Sequence, residues 1–317
     1  MAHSVKFGTL PKETNPLVLG TWAFGGEHWG GQNEADTRDV MEVAWDKGIN
    51  HWDTALLYGD GSVERLIGAF LKDKWDDAFI ASKGIIRKGP QQIVHFLYQS
   101  LRNLKAEKID LYYVHWPKSG VDLRPYFELL ENERKKGTIG AIGVSNFSVE
   151  QMKQAMEVAK IDAHQLCYNL FWRKPEAEII PYCMKNKIEV VSYSSLAQGV
   201  LTGKFPEKPT FKEGDHRPST VFFDPAVWPH LYNSSEKLKD LGREYGCTPV
   251  AIALQWLNRQ PGLSSMTVGA RNKEQSRQLF SSLNDPVPSE ILDRATILSD
   301  DAVSFLPNEQ NIFRFYP

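Results

Sequence analysis

The sequence predicts an α/β fold, a (β/α)8 TIM barrel with a short N-terminal hairpin, a long loop after the seventh barrel strand and an extra C-terminal helix. Three observations predict it. Eight short apolar runs, rich in Val and Ile, are each followed by a stretch with helical periodicity, as strands buried on both faces and their crossovers require. Each run ends in polar residues, so the eight ends line one rim when the crossovers are right-handed. The rival open sheet would carry a strand–GxGxxG–helix fingerprint for a dinucleotide, and that fingerprint is absent.

The elements follow in order. Val5 to Val18 reads as a hairpin broken by Gly8, Pro11 and Pro16. Leu17–Gly20 is the first barrel strand, and Phe24 to Gln32 a Gly-rich aromatic loop. Asn33 caps a helix carrying Val40, Met41, Ala44 and Trp45, which stops at Gly48. The second strand ends at Asp53. Ser62 opens a helix whose Val63, Leu66, Ile67, Phe70 and Leu71 share one face. Ala78–Ala81 is the third strand, followed by Ser82 and Lys83, with a helix from Pro90. Ile109–Val114 leads to His115, and the next helix spans about Pro125 to Lys136. Ile139–Val144 leads to Ser145 and Asn146, and Ser148 caps a helix reaching Ala159. Ala163–Leu166 contains Gln165 and precedes a helix over Glu176–Lys185; Ile188–Ser192 leads to Tyr193 and Ser194. Leu196–Pro229 lacks periodicity and reads as a loop. Helices over Ser234–Tyr245 and Pro249–Asn258 precede the eighth strand, Leu263–Val268, which leads to Gly269 and Arg271. A helix over Lys273–Ser282, a last one near Ser289–Ser299 and an aromatic tail complete the chain. No stretch reads as a linker, so residues 1–317 are expected to form a single domain.

Bulk properties narrow the function. The 317 residues are 42% hydrophobic and 24% charged, the balance of a globular protein with a full core. A net charge of −2 and a pI near 6.5 give no electrostatic case for nucleic acid or an anionic membrane. No apolar stretch approaches a membrane span, and the N-terminus has no apolar signal core, so a cytoplasmic protein is expected. Cys167, Cys183 and Cys247 are too few and too scattered for a disulfide frame or a zinc site, and no metal is expected.

The strand-end residues carry the chemistry. A tyrosine, with a pKa near 10, donates a proton poorly at neutral pH unless a neighbouring ammonium stabilises the phenolate. Lys83 can supply that ammonium to Tyr58, Asp53 can hold Lys83, and His115 can donate to a substrate oxygen. An acid, its tuner and an orienter, without a strong nucleophile, suit protonation of a carbonyl oxygen during reduction. No side chain donates hydride, so a nicotinamide cofactor is expected.

These residues lie in stretches that resemble the aldo-keto reductase superfamily: LGTW at 19–22, DTALLYG at 53–59, ASK at 81–83, VHWP at 114–117, GVSNF at 143–147, SYSSLAQGVLTGK at 192–204 and VGARNKEQ at 268–275. The likeness is strongest to bacterial general-stress NADPH-dependent reductases, monomeric or weakly associated, and extends to potassium-channel β-subunits. The resemblance implies a catalytic tetrad of Asp53, Tyr58, Lys83 and His115, with Tyr58 the proton donor. It implies that NADP(H) is bound by Gly20, Thr21, Trp22 and Asp53 on the near ribose side, and that Ser145, Asn146 and Gln165 bond the nicotinamide amide. Tyr193 would stack on its ring. Ser194, Leu196, Gly199, Leu201 and Lys204 would belt the pyrophosphate, and Gly269, Arg271 and Gln275 would take the adenosine end. Arg271 argues for NADP, because a guanidinium matches a 2′-phosphate. Leu279 departs from the family, which usually has Asn there to contact adenine. Gly199-x-x-x-Gly203-Lys204 is one residue short of a phosphate loop and lacks the following Ser or Thr, which excludes a nucleotide triphosphatase. Substrate contacts are expected from Trp22, Phe24, Trp29, Tyr58, His115, Trp116, Trp172 and the tail from Phe305 to Phe315. The expected function is NADPH-dependent reduction of small aldehydes and ketones, sugar-like carbonyls included. The alternatives are an NADP-dependent sugar or secondary-alcohol dehydrogenase and an NADP(H)-binding regulatory subunit.

Overall fold

The computed structural model describes residues 4–316. The hairpin pairs β1 (Val5–Lys6) with β2 (Glu13–Thr14) in antiparallel fashion. Eight parallel strands then close a barrel: β3 (Leu17–Gly20), β4 (His51–Asp53), β5 (Phe79–Gly84), β6 (Ile109–Val114), β7 (Ile139–Ser145), β8 (Ala163–Cys167), β9 (Glu189–Tyr193) and β10 (Leu263–Val268). Closure comes from β10 pairing with β3, with Met266 opposite Leu17 and Val268 opposite Leu19.

Outside lie α1 (Glu34–Asp46), α2 (Ser62–Phe70), α3 (Gln91–Leu104), α4 (Arg124–Lys136), α5 (Val149–Met156), α6 (Ile179–Asn186), α7 (Trp228–Tyr245), α8 (Pro249–Asn258), α9 (Lys273–Ser281) and α10 (Ser289–Ser304). The expected caps are present. Asn33 Oδ1 accepts from Ala35 N at 2.7 Å, and Ser148 forms a reciprocal capping box with Gln151. No described helix is long and apolar enough to cross a membrane.

Period-two alternation divides the barrel wall into two cores. Along β5 and β6, Ile80, Tyr112 and Val114 face the helices, while Phe79, Ala81, Leu111 and Tyr113 fill the interior. The hairpin joins that interior. Phe7, fully buried, sets its ring edge-on to His51 at 5.2 Å and beside Phe79 at 5.2 Å, and so closes the N-terminal end of the barrel.

Several boundaries differ from the sequence expectation. The segment after β9 contains three 3-10 turns, Ala197–Thr202, Arg217–Ser219 and Val221–Phe223. α7 starts at Trp228, six residues before the expected Ser234. Pro229 fits its first turn, which has no need of that N–H, and Trp228 Nε1 is anchored on Glu207 O at 2.7 Å. α5 stops at Met156 rather than Ala159, and α10 runs to Ser304 rather than Ser299.

Candidate active site

The inward row of β5 reads Phe79, Ala81, Lys83, so alternation alone brings the lysine into the barrel just above the apolar layer. Its side chain is fully buried, and the ammonium uses all three donors: Asp53 Oδ1 at 2.5 Å, Thr54 O at 2.8 Å and Tyr58 Oη at 3.4 Å. Asp53 ends β4 in the same layer. Its second oxygen accepts from Gln165 Nε2 at 2.7 Å, and its carbonyl accepts from Thr21 N and Oγ1 at 3.1 and 2.8 Å. The carboxylate therefore has no free rotamer.

Tyr58 comes back over this layer because the chain turns sharply behind it. Gly59, Asp60 and Gly61 all have positive φ, at 55°, 49° and 77°, and a Cβ on Gly59 would lie 2.2 Å from Ser62 Oγ. His115, at the end of β6, presents its ring edge-on to the Tyr58 ring, 6.0 Å between centroids. Its Nδ1 is buried without a partner.

Charge states follow from burial. Burial drives the His115 pKa well below the usual histidine value, and Lys83 adds to the effect, so the ring is neutral. Burial also works against a charged Lys83, but Asp53 and Tyr58 hold its pKa above the usual lysine value. For Tyr58 burial raises the pKa, Lys83 opposes the rise and Asp53 adds to it; the net direction is upward. The expectation that Lys83 pulls the phenol below its usual pKa is thus corrected: desolvation outweighs the ammonium, whose effect is to limit the rise.

The residues expected around a cofactor line the same rim, several of them already bonded. Asn146 Nδ2 donates to His115 O at 3.3 Å and Ser145 Oγ at 3.0 Å, and Asn146 Oδ1 accepts from Tyr193 Oη at 2.7 Å. Ser194 Oγ accepts from Gln198 Nε2, and Gln275 Oε1 accepts from Arg271 N. Leu196 and Gly199 lie at the 3-10 turn after β9. Leu201 is fully buried, with its N–H on Leu196 O, so it faces the core and not the rim. Gly20 and Gly269 mark the close approach of the ends of β3 and β10. The Arg271 guanidinium donates to Trp29 O at 3.0 Å, to Gly31 O, and to Gln32 Oε1 at 3.1 Å. Lys204 is the loose cation. It makes no hydrogen bond or ion pair among the described residues, and burial, with Arg217 and Arg271 nearby, brings its pKa down to about 8. Leu279 is buried on the inner face of α9, which explains an apolar residue there.

The aromatic expectations divide. Trp22 lies 6.3 Å from Tyr58, nearly parallel to it, and meets Trp29 edge-on at 5.3 Å. Trp116 meets Phe313 and Phe315 of the tail, at 6.2 and 5.1 Å. Trp172 and Phe24 are corrected: both are core residues, Trp172 with 1% exposure against Phe222. Phe305 is also away from the site, stacked on His230 of α7. Sequence reasoning missed His216 and Arg217 altogether. His216 packs on Trp22 at 4.5 Å, and Arg217 lies among Trp29, Phe205 and Phe211 at 5.2–5.4 Å, paired with Asp215. No local signal marked them, since the same loop carries several other charged residues, among them Lys208, Lys212 and Glu213. From the tail, Phe313 lies parallel to Tyr193 at 6.0 Å, held where Val221 N donates to Ile312 O at 2.9 Å.

Comparison with known proteins agrees with this geometry. The chain is 36% identical over 279 residues to the aldo-keto reductase YhdN of Bacillus subtilis (strain 168), covering 84% of each chain. It is 30% identical over 305 residues to an NADH-specific methylglyoxal reductase of Escherichia coli (strain K12), covering 88% of this chain and 93% of the other. Among solved structures, a glycerol dehydrogenase from Gluconobacter oxydans superposes with a TM-score of 0.84 at 30% identity, covering 96% of both chains. With residues 16–300 matching the Aldo/keto reductase family, the chain belongs to that family of oxidoreductases.

Proposed function

We propose that this protein is an NADPH-dependent reductase of small aldehydes and ketones, sugar-like carbonyls included, acting as one barrel unit, monomeric or weakly associated. The hydrogen-bonded series Gln165–Asp53–Lys83–Tyr58, with a neutral His115 beside the phenol, carries the reading. Tyr58 Oη gives its proton to the carbonyl oxygen. The Lys83 ammonium, 3.4 Å away, stabilises the phenolate left behind, and Asp53 keeps that ammonium charged in a buried site. His115 is too desolvated to serve as a cation, and its N–H orients the oxygen.

The residues fit a nicotinamide dinucleotide. Lys204 is a cation without a hydrogen-bond or ion-pair partner among the described residues, with Arg217 and Arg271 close enough to lower its pKa, and an anionic phosphate would relieve that repulsion. Gly199, with φ of 95°, leaves the room Lys204 needs, since a Cβ there would sit 2.9 Å from Lys204 Cε. Ser194, Leu196 and Lys204 would hold the phosphates, Tyr193 the nicotinamide face, and Gly269, Arg271 and Gln275 the adenosine end. When bound, the nicotinamide supplies the hydride. The preference for NADPH over NADH rests on this cationic trio; the E. coli relative is named for NADH.

The test is NADPH consumption with a nitrobenzaldehyde, with NADH measured alongside. Tyr58→Phe should lower kcat by about 10²–10⁴-fold. Equal turnover by wild type and variant across a broad carbonyl panel would sink the reading, and a kcat/KM favouring NADH would overturn the cofactor preference. The glycerol dehydrogenase likeness favours a second reading, oxidation of polyols with NADP+. Faster turnover of polyols at alkaline pH than of any carbonyl at neutral pH would select it.

A further inference from the structure

A second cluster of cations adjoins the layer that holds Lys83. Arg65 of α2, Arg87 of the loop after β5 and Arg102 in the last turn of α3 converge on a cavity of about 410 Å3 between α2, α3 and the connection that carries Tyr58. Asp60 is the one carboxylate residue lining it. None of the three arginines makes an ion pair among the described residues. Surface arginines in this protein commonly do: Arg38, Arg124, Arg243 and Arg294 each hold a carboxylate within 3.2 Å.

The cluster is supported from beneath. Arg65 Nη1 donates to Asn103 Oδ1 at 3.2 Å, and Asn103 Nδ2 donates to Glu64 Oε2 at 2.9 Å. Glu64 is fully buried, and its other oxygen accepts from Ser82 Oγ at 2.7 Å. Arg65 thus starts from a fixed orientation with most of its donors free. Gln99 adds a neutral amide to the lining. The volume falls in the range of small-molecule sites, and guanidinium forks match the oxygens of a phosphate two at a time. Lys83 also lines the cavity, but its donors are taken by Asp53, Thr54 and Tyr58, so three unpaired arginines facing one carboxylate residue select an anion of charge near −2.

We propose that this cavity binds a small molecule bearing a phosphate monoester, with Arg65, Arg87 and Arg102 on the phosphate oxygens, at a site that adjoins the one around Tyr58 through Lys83. The proposal does not rest on the carbonyl-reductase reading.

The experiment is calorimetric titration of the full chain with glycerol 3-phosphate and with inorganic phosphate, at constant ionic strength. Wild type, Arg65→Gln/Arg102→Gln and Lys204→Ala would be compared, with circular dichroism and unliganded melting points as folding controls. The expected result is saturable binding of glycerol 3-phosphate, weakened about 100-fold in the double arginine variant, since each lost charged donor costs about tenfold. Lys204→Ala should bind as wild type does. Inorganic phosphate weaker than glycerol 3-phosphate supports an ester-sized ligand, and equal binding reduces the proposal to a bare phosphate site and overturns the ester. No saturable binding, binding indifferent to the arginine substitutions, or binding abolished by Lys204→Ala would overturn the site itself.

Discussion

The two ends of the barrel are buried alike and built in opposite ways. At the N-terminal end, Phe7, His51 and Phe79 meet ring to ring, and His51 Nδ1 has no hydrogen-bond partner. At the C-terminal end, Lys83, Asp53 and Gln165 are as deeply buried, yet each has a charged or polar partner. Apolar packing at one end supplies stability without chemistry. A buried pair seldom stabilises more than apolar groups of the same shape, so on the proposed reading the ion pair at the other end serves Tyr58. Substitutions should therefore separate stability from turnover according to the end they touch.

The largest separation is expected from Tyr58→Phe, where turnover collapses while the unfolding free energy from urea melts stays within about 0.5 kcal/mol of wild type. Lys83→Met should abolish turnover and also cost about 3–5 kcal/mol, because Asp53 is left as a buried charge with only Gln165. Adding Asp53→Asn should return most of that stability and none of the activity. A double variant no more stable than Lys83→Met would mean the mouth holds the fold together as the other end does. Phe7→Ala is the counterpart, costing about 3–5 kcal/mol with kcat/KM of the folded fraction unchanged.

Acid should expose the apolar end through its histidine. Burial, with Lys83 as a lesser cause, lowers the His51 pKa to about 3, and burial lowers His164 to about 3 as well. Both pKa values are depressed on folding, so the unfolded chain binds the extra protons and stability falls as pH drops from about 6.5 towards 3. Each histidine contributes a slope of about 1.4 kcal/mol per pH unit. His51→Phe should remove one such slope, which urea melts at pH 7, 6 and 5 would read. Smallest of all, Phe313→Ala should raise KM for an aromatic aldehyde by about two- to tenfold through the lost ring contacts with Trp22 and Trp116, leaving kcat nearly unchanged.

The positions of Asp53 and Lys83 were legible because strand periodicity alone decides them. Asp53 and Lys83 each fall on the inward phase of an apolar run, and no distant contact is needed to place them. Tyr58 was legible from the glycines behind it. His216 and Arg217 were not, because their positions depend on contacts between segments far apart in sequence, such as His216 N on His28 O. Trp172 and Trp116 show the same limit: both follow strands, and only packing against Phe222 or against the tail decides which one faces the core. The upward shift of Tyr58 was missed because charge proximity can be read from residue types, whereas desolvation needs the surrounding atoms.

Barrel closure also sets a timetable for synthesis. Leu17 pairs with Met266, about 250 residues later, so at roughly 5–20 residues per second β3 waits about 10–50 s on the ribosome for its second neighbour. During that interval β3 remains an open sheet edge, and the newest strand presents another at the growing end. The Asp53–Lys83 pair can form once β5 has emerged, long before the mouth around it exists. Chaperone dependence in this chain should therefore be concentrated between the emergence of β3 and that of β10.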